Sequence, residues 1–285
     1  MISRRDFLKA AGITLCAAHI PGFISETPAA ATPNLVPLYG RVLRGHGGLW
    51  TDSIIPIHAT LPDGYQTPHG LIPKRNLQPM LTSAVYQTAS TPPPFTAEVV
   101  GASAVLHRWC NSDAPPVESV GHGGLLRVVD RLNYDGVDWY GVDLHGDGRL
   151  FWTHSAPLAP LTLPAPVPDL TLRLDHSSYT LTALQGDRAL FSVPFGTKYL
   201  PADGDFSLSQ QTLIAETQIY RRLAPFVTSF SDQVHVYGAY WHNDFGGFSN
   251  DEGIQVPPYI AKWIYGASQG GARVMITLSS LSMIE

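Results

Sequence analysis

Apolar residues in this chain come in short runs that alternate with polar ones, and Gly, Pro, Asn or Asp closes most of the runs. That pattern restricts the chain to short strands joined by turns. Leu170-Thr171-Leu172-Arg173-Leu174, Ser178–Leu184 and Ala189–Val193 each have the two-residue period of a half-buried strand, and Gln185-Gly186-Asp187-Arg188 predicts a hairpin turn between the last two. Leu38–Leu43, Leu125–Val129, Arg149–Thr153 and Arg273–Leu278 read as further strands, and Asn133–Val142 as a turn leading into one. Twenty-six Gly and 24 Pro fit such a chain, and so does a charged fraction of 14%, below the roughly 25% of an ordinary soluble domain. One helix is predicted, near Pro257 to Ser268, where Tyr259, Ala261, Trp263, Ile264 and Ala267 give amphipathic spacing behind a first-turn proline. The expected fold class is mainly β, with one short helix before the last strand.

Proline marks the boundaries. Residues 32–37 form a Pro-rich linker, Ser90-Thr91-Pro92-Pro93-Pro94 is a break, and 159–169 carries Pro at 160, 164, 166 and 168, which predicts an extended, semi-rigid spacer. Three units follow: 38–90, 95–158 and 170–283. In the second, the strand order with Trp139-Tyr140 before the closing strands resembles bacterial SH3-like modules, small β-barrels that often precede cell-wall enzyme domains. Gly-His-Gly-Gly at 45–48 and again at 121–124 suggests that the first unit is a second such module.

The N-terminus is a segment to exclude from the fold. Ser3-Arg4-Arg5-Asp6-Phe7-Leu8-Lys9 resembles the twin-arginine export consensus; an apolar stretch from Ala10 to Ala18 and a small-residue cleavage site at Ala29-Ala30-Ala31 follow it. Residues 1–31 are therefore expected to be a twin-arginine signal peptide, and the protein to work in the periplasm, the cell wall or outside the cell. Leu15 before Cys16 is too large for a lipoprotein signal, so no lipid anchor is expected. Signal removal leaves Cys110, which cannot form an internal disulfide and reads as a buried structural thiol in a strand-like run. A net charge of -5 with no basic stripe excludes a nucleic-acid partner, and no later apolar run is long enough to span a membrane.

The residues that decide the family lie near the C-terminus. Gly238-Ala239-Tyr240-Trp241-His242-Asn243-Asp244-Phe245-Gly246, followed by Ala261-Lys262-Trp263-Ile264-Tyr265, resembles L,D-transpeptidases with a YkuD-like domain. Pro201-Ala202-Asp203-Gly204-Asp205-Phe206 echoes an earlier segment of that family. The resemblance implies acyl transfer on peptidoglycan stem peptides: a cysteine thiolate attacks a carbonyl, a histidine raises the thiolate fraction, and backbone N–H groups hold the oxyanion. Anchored on Lys262-Trp263, however, the alignment places Gly253 at the cysteine, Asp251 at the histidine beside it and Tyr237 at the upstream histidine. Gln255 falls at the polar position after the cysteine, and His242 stands where the family has a histidine. No intact catalytic set remains.

The first reading is a degenerate L,D-transpeptidase-like protein that binds peptidoglycan, stem peptide or glycan, with Tyr240, Trp241, His242, Asn243 and Asp244 as binding residues and no cofactor or metal. The alternative is an active peptidoglycan transpeptidase or hydrolase with altered residues. It would use Ser249 with His242 as base, or a cluster of His242, Asp244, Asp251 and Glu252 for a divalent metal or acid–base work. The same acids also read as solvated loop residues. A third reading is a structural protein that binds another protein. His235 shares a strand face with Tyr237 if the segment is a strand, so it could be a shifted histidine. His46, His122, His145 and His154 read as surface loop histidines.

Overall fold

The computed structural model describes residues 33–86, 91–199, 202–217, 221–232 and 234–277. The expected export signal, Cys16, Pro201 and Leu278 lie outside them. The chain is mainly β with a single short α-helix among the described residues, as expected.

The first strands make two small antiparallel sheets, one with the order Ile54–Pro56, Tyr39–Val42, Leu77–Met80 and the other Ala59–Thr60, Gly64–Thr67, Gly70–Pro73. Val42, Ile55, Ile57, Tyr65, Ile72 and Leu77 fill the core between them. The next unit is a five-stranded antiparallel sheet, ordered Leu150–His154, Val137–Asp143, Leu125–Tyr134, Phe95–Val99, Leu158–Pro160, with a separate hairpin of Ser103–Leu106 and Glu118–Gly121. Its tight turn is Asp135-Gly136, both residues at positive φ (52° and 75°), which suits the twist of the flanking strands. The expected small barrels are not closed: every sheet of the described residues is open in strand order. Strands of two to four residues in the first unit are too short to wrap around a core, so they pair in threes instead. The Pro-rich stretch begins as an edge strand: Leu158–Pro160 pairs with Phe95–Val99, and Val167 then donates to the Ala267 carbonyl at 2.8 Å.

The last unit combines two sheets. One has the order Arg188–Pro194, Thr180–Gln185, Leu170–Asp175, Ala272–Thr277, Gly204–Ser207, in which Leu170–Asp175 and Ala272–Thr277 run parallel. The predicted turn sits where expected, with Gln185 opposite Arg188. The other sheet is ordered Gln210–Glu216, Leu223–Ser229, His235–Gly238, Ile254–Val256, Gly196–Thr197, Gly247–Phe248. Helix Pro258–Ala267 covers its centre and buries Ile260, Ala261 and Ile264 completely. Each of the two isoleucines contributes about 1.5–3 kcal/mol. Proline at the first helical position fixes φ where no N–H partner is needed. Lys262 on the outer face pairs with Glu98 of the five-stranded sheet, tying the helix to the preceding unit. No helix among the described residues is long and apolar enough to cross a membrane.

Candidate functional site

Two strands frame the site. His235–Gly238 lies parallel to Ile254–Val256, and Tyr237 sits opposite Gln255. The alternation His235-Val236-Tyr237 places Val236 in the core and turns His235 and Tyr237 to the other face, so the shared face expected for the two is present. They line an open cleft of about 530 Å³ with Thr212, Ala215, Val227, Ser229, Asp232, Glu252 and Gly253.

At Gly253 the backbone and its neighbours disfavour any side chain. Gly253 has φ of +82°, a region that disfavours any residue with a Cβ. A Cβ built there would lie 2.8 Å from Tyr237 Cε1 and 3.1 Å from the His235 carbonyl oxygen. Tyr237 is only 5% exposed, and its hydroxyl donates to the Glu252 carbonyl at 2.5 Å. Burial first, and then the Asp251 carboxylate, push its phenol pKa well above the ordinary value, so Tyr237 is a neutral hydrogen-bond donor. Tyr237 thus occupies the room that a side chain at 253 would need.

Behind the cleft, Gln255 is a hub. Its Oε1 accepts from the His242 Nε2–H at 2.5 Å and from the Ser249 hydroxyl at 2.7 Å, while its Nε2 donates to the Asp251 carbonyl at 3.0 Å. The Asp244 backbone N–H donates to His242 Nδ1 at 3.1 Å. With Nδ1 accepting and Nε2 donating, His242 is held as one neutral tautomer. Burial lowers its pKa in keeping with that state, against the opposing effect of Gln255. His242 and Ser249 therefore both donate to one amide oxygen, and neither activates the other. Asp251 is 3% exposed, its Oδ1 has no hydrogen-bond partner among the described residues, and burial raises its pKa.

Two of the remaining expected binding residues, Tyr240 and Asn243, pack against the earlier sheets. Tyr240 is buried in the core of the five-stranded sheet with Val120, Tyr140 and Leu158, and its carbonyl accepts from Arg41 at 3.3 Å. Asn243, 3% exposed, points away from the cleft; the two N–H of its Nδ2 are shared among the Tyr65 hydroxyl (2.9 Å) and the Lys74 (3.1 Å) and Leu77 (2.9 Å) carbonyls. Trp241 stacks on Tyr237 at 6.4 Å between ring centroids and lies under the Arg222 guanidinium. Asp244 is exposed, and among the described residues no group of three His, Cys, Asp or Glu side chains is close enough to hold a metal ion, so the postulated carboxylate–imidazole cluster does not assemble there.

Three further sequence readings change, and the first is His154, which ends strand Leu150–His154 with its ring 4.3 Å from that of Trp139 and is no loop histidine. Cys110 is half-buried in a bend after the strand, not inside it; burial and the Asp130 carboxylate raise its thiol pKa. His122 is no free loop histidine: Nδ1 faces the Gly101 carbonyl at 3.0 Å, and burial lowers its pKa to about 4. Ser229, Thr212 and Asp232 carry no mark in the sequence. Their β-branched or turn-forming context gives no signal until strand register puts Ser229 opposite His235.

No protein-family model matches the chain, and neither does any curated protein. Solved structures do. An L,D-transpeptidase (Yku) from Stackebrandtia nassauensis matches with a TM-score of 0.35 and 13% identity, over 41% of this chain and 58% of that one. An L,D-transpeptidase from Xylanimonas cellulosilytica DSM 15894 gives 0.34 and 14%, over 41% and 64%. One from Mycobacterium tuberculosis H37Rv gives 0.34 and 13%, over 68% and 92%. The chain spans less than two thirds of the length of the first two. It is similar to these three L,D-transpeptidases at low sequence identity.

Proposed function

We propose that the protein is an exported, catalytically degenerate L,D-transpeptidase-like protein that acts at the cell wall and binds peptidoglycan through the Tyr237–Gly253 cleft. The observation that carries the reading is the pairing of an open cleft with a nucleophile position that excludes a side chain. The framing residues Gly238–Gly246 and Ala261–Tyr265 support the family resemblance, and the twin-arginine segment Ser3–Lys9 supports export. The cleft is large enough to take a peptide segment. Its wall mixes apolar Ala215 and Val227 with polar Thr212, Ser229 and His235, which suits a short peptide more than an apolar ligand. The units at 38–90 and 95–158, read as SH3-like modules, brace the domain through Asn243, Arg41 and Lys262.

Cosedimentation of the purified protein with sacculi at moderate salt tests the proposal. Retention is expected, and the same retention after chelator treatment. A protein that stays entirely in the supernatant would remove the binding role.

A further inference from the structure

A serine and a histidine meet on the cleft wall beside Tyr237. Ser229 and His235 are cross-strand partners in the antiparallel pair Leu223–Ser229/His235–Gly238. Ser229 Oγ is 2.8 Å from His235 Nδ1, and His235 Nε2 is 3.1 Å from the Asp232 carbonyl oxygen. A carbonyl oxygen only accepts, so Nε2 carries the proton and Nδ1 presents a lone pair to the Ser229 hydroxyl. This is the arrangement in which imidazole activates a serine: a base within hydrogen-bond reach, and a third group fixing its tautomer. Ser249 and His242 lack it, because both donate to Gln255. Ser229, Asp232 and His235 all line the cleft. Thr212, paired with Val227 while Gln210 pairs with Ser229, stands diagonally across on the same wall and offers a hydroxyl donor to a substrate oxygen.

We propose that Ser229 and His235 form a serine acyl-transfer site in this cleft, taking uncharged or cationic peptide or ester carbonyl compounds. The charge preference follows from the carboxylates of Asp232 and Glu252 on the cleft wall. Ser229 Oγ forms a bond to the carbonyl carbon while its proton passes to His235 Nδ1. The bond to the leaving amine or alcohol breaks, and the leaving group takes that proton. Water then attacks the acyl-serine, gives a proton to His235 that returns to Ser229 Oγ, and the acid departs. No oxidant, metal or cofactor enters the balance. The inference shares the cleft with the binding role but needs no peptidoglycan, so the two fail separately: sacculus retention tests one, reaction with a small acyl or phosphonyl compound the other.

The experiment incubates the full chain with a fluorophosphonate probe and, separately, with p-nitrophenyl acetate. Peptide mapping is expected to place the phosphonyl adduct on Ser229. Ester turnover is expected to fall about 100-fold in His235→Gln, the scale of a lost general base. Ser229→Ala should lose the adduct while its melting temperature stays within a few degrees of the parent. Ser112→Ala is the comparison, since Ser112 makes a 2.7 Å contact with His154 Nε2 on an exposed surface and does not line the Ser229 cleft; it should label like the parent. No adduct on the folded parent overturns the proposal. So does an adduct that survives Ser229→Ala or disappears in Ser112→Ala. If Ser229→Ala does not fold, mapping of the adduct and the His235→Gln rate decide.

Discussion

A cysteine at position 253 should be costly, and the cost can be worked from the geometry. Gly253→Cys puts a Cβ into a backbone at φ +82°, which costs about 1–2 kcal/mol for the left-handed conformation. The new atom lies 2.8 Å from Tyr237 Cε1, and Tyr237 is buried and bonded to the Glu252 carbonyl, so the ring can yield only by breaking that bond. Overpacking of this kind costs about 1–3 kcal/mol more. The single variant should therefore lose about 2–5 kcal/mol. Tyr237→His alone loses a hydrogen bond and part of a buried ring, about 1–3 kcal/mol. In the double variant the shorter imidazole removes the ring clash, and the backbone strain remains. The two changes should thus be less costly together than the sum of the singles, by about 1–2 kcal/mol. Urea unfolding of the four proteins reads this directly. Gly253→Cys as stable as the parent, or strictly additive costs, would refute the coupling of the two positions.

Asn243→Ala removes one side chain with three acceptors, leaving the Leu77 carbonyl and Tyr65 hydroxyl buried without it; a loss of about 2–4 kcal/mol is expected in urea, with sacculus binding unchanged at temperatures where the variant is folded. His122 gives a pH signature. Burial disfavours its imidazolium in the fold and lowers its pKa to about 4, so the unfolded chain takes up the proton first. Its contribution is full above the ordinary imidazole pKa of about 6.5 and is lost as pH falls through about 4, by about 3 kcal/mol; unfolding free energies of parent and His122→Gln should converge over that window, and parallel curves would contradict the assignment. Gln255→Leu removes the shared acceptor of His242 and Ser249 while keeping volume, and two orphaned buried donors predict a loss of about 2–4 kcal/mol, seen as a lower melting temperature.

The strands were legible because side-chain period follows backbone period. Leu170–Asp175, Thr180–Gln185 and Arg188–Pro194 keep one face apolar, and Gly186 at positive φ marks their turn. The helix was legible from its first-turn proline and the spacing of Ala261 and Ile264. Which strands become neighbours was not: nothing in Leu170–Asp175 names Ala272–Thr277 as its parallel partner. The site divided along the same line. Tyr237, Asp251 and Gly253 stood out singly as departures from a motif, but the contact between Tyr237 and position 253 exists only through strand pairing and a left-handed glycine. Tyr240 and Asn243 looked like ligand groups because polar and aromatic residues in a motif carry no label for their partners. Those partners, Tyr65, Leu77 and Arg41, come from the far end of the chain. Ser229 needed the register of a hairpin before it met His235.

The proposed binding role requires that the cleft in front of Gly253 take a cell-wall ligand. Isothermal titration with a soluble muropeptide, comparing the parent with the cleft-filling Ala215→Trp variant, tests it most directly. Saturable heat in the parent that disappears in a folded Ala215→Trp is the predicted result. No heat in the parent, or equal affinity in both proteins, would contradict it.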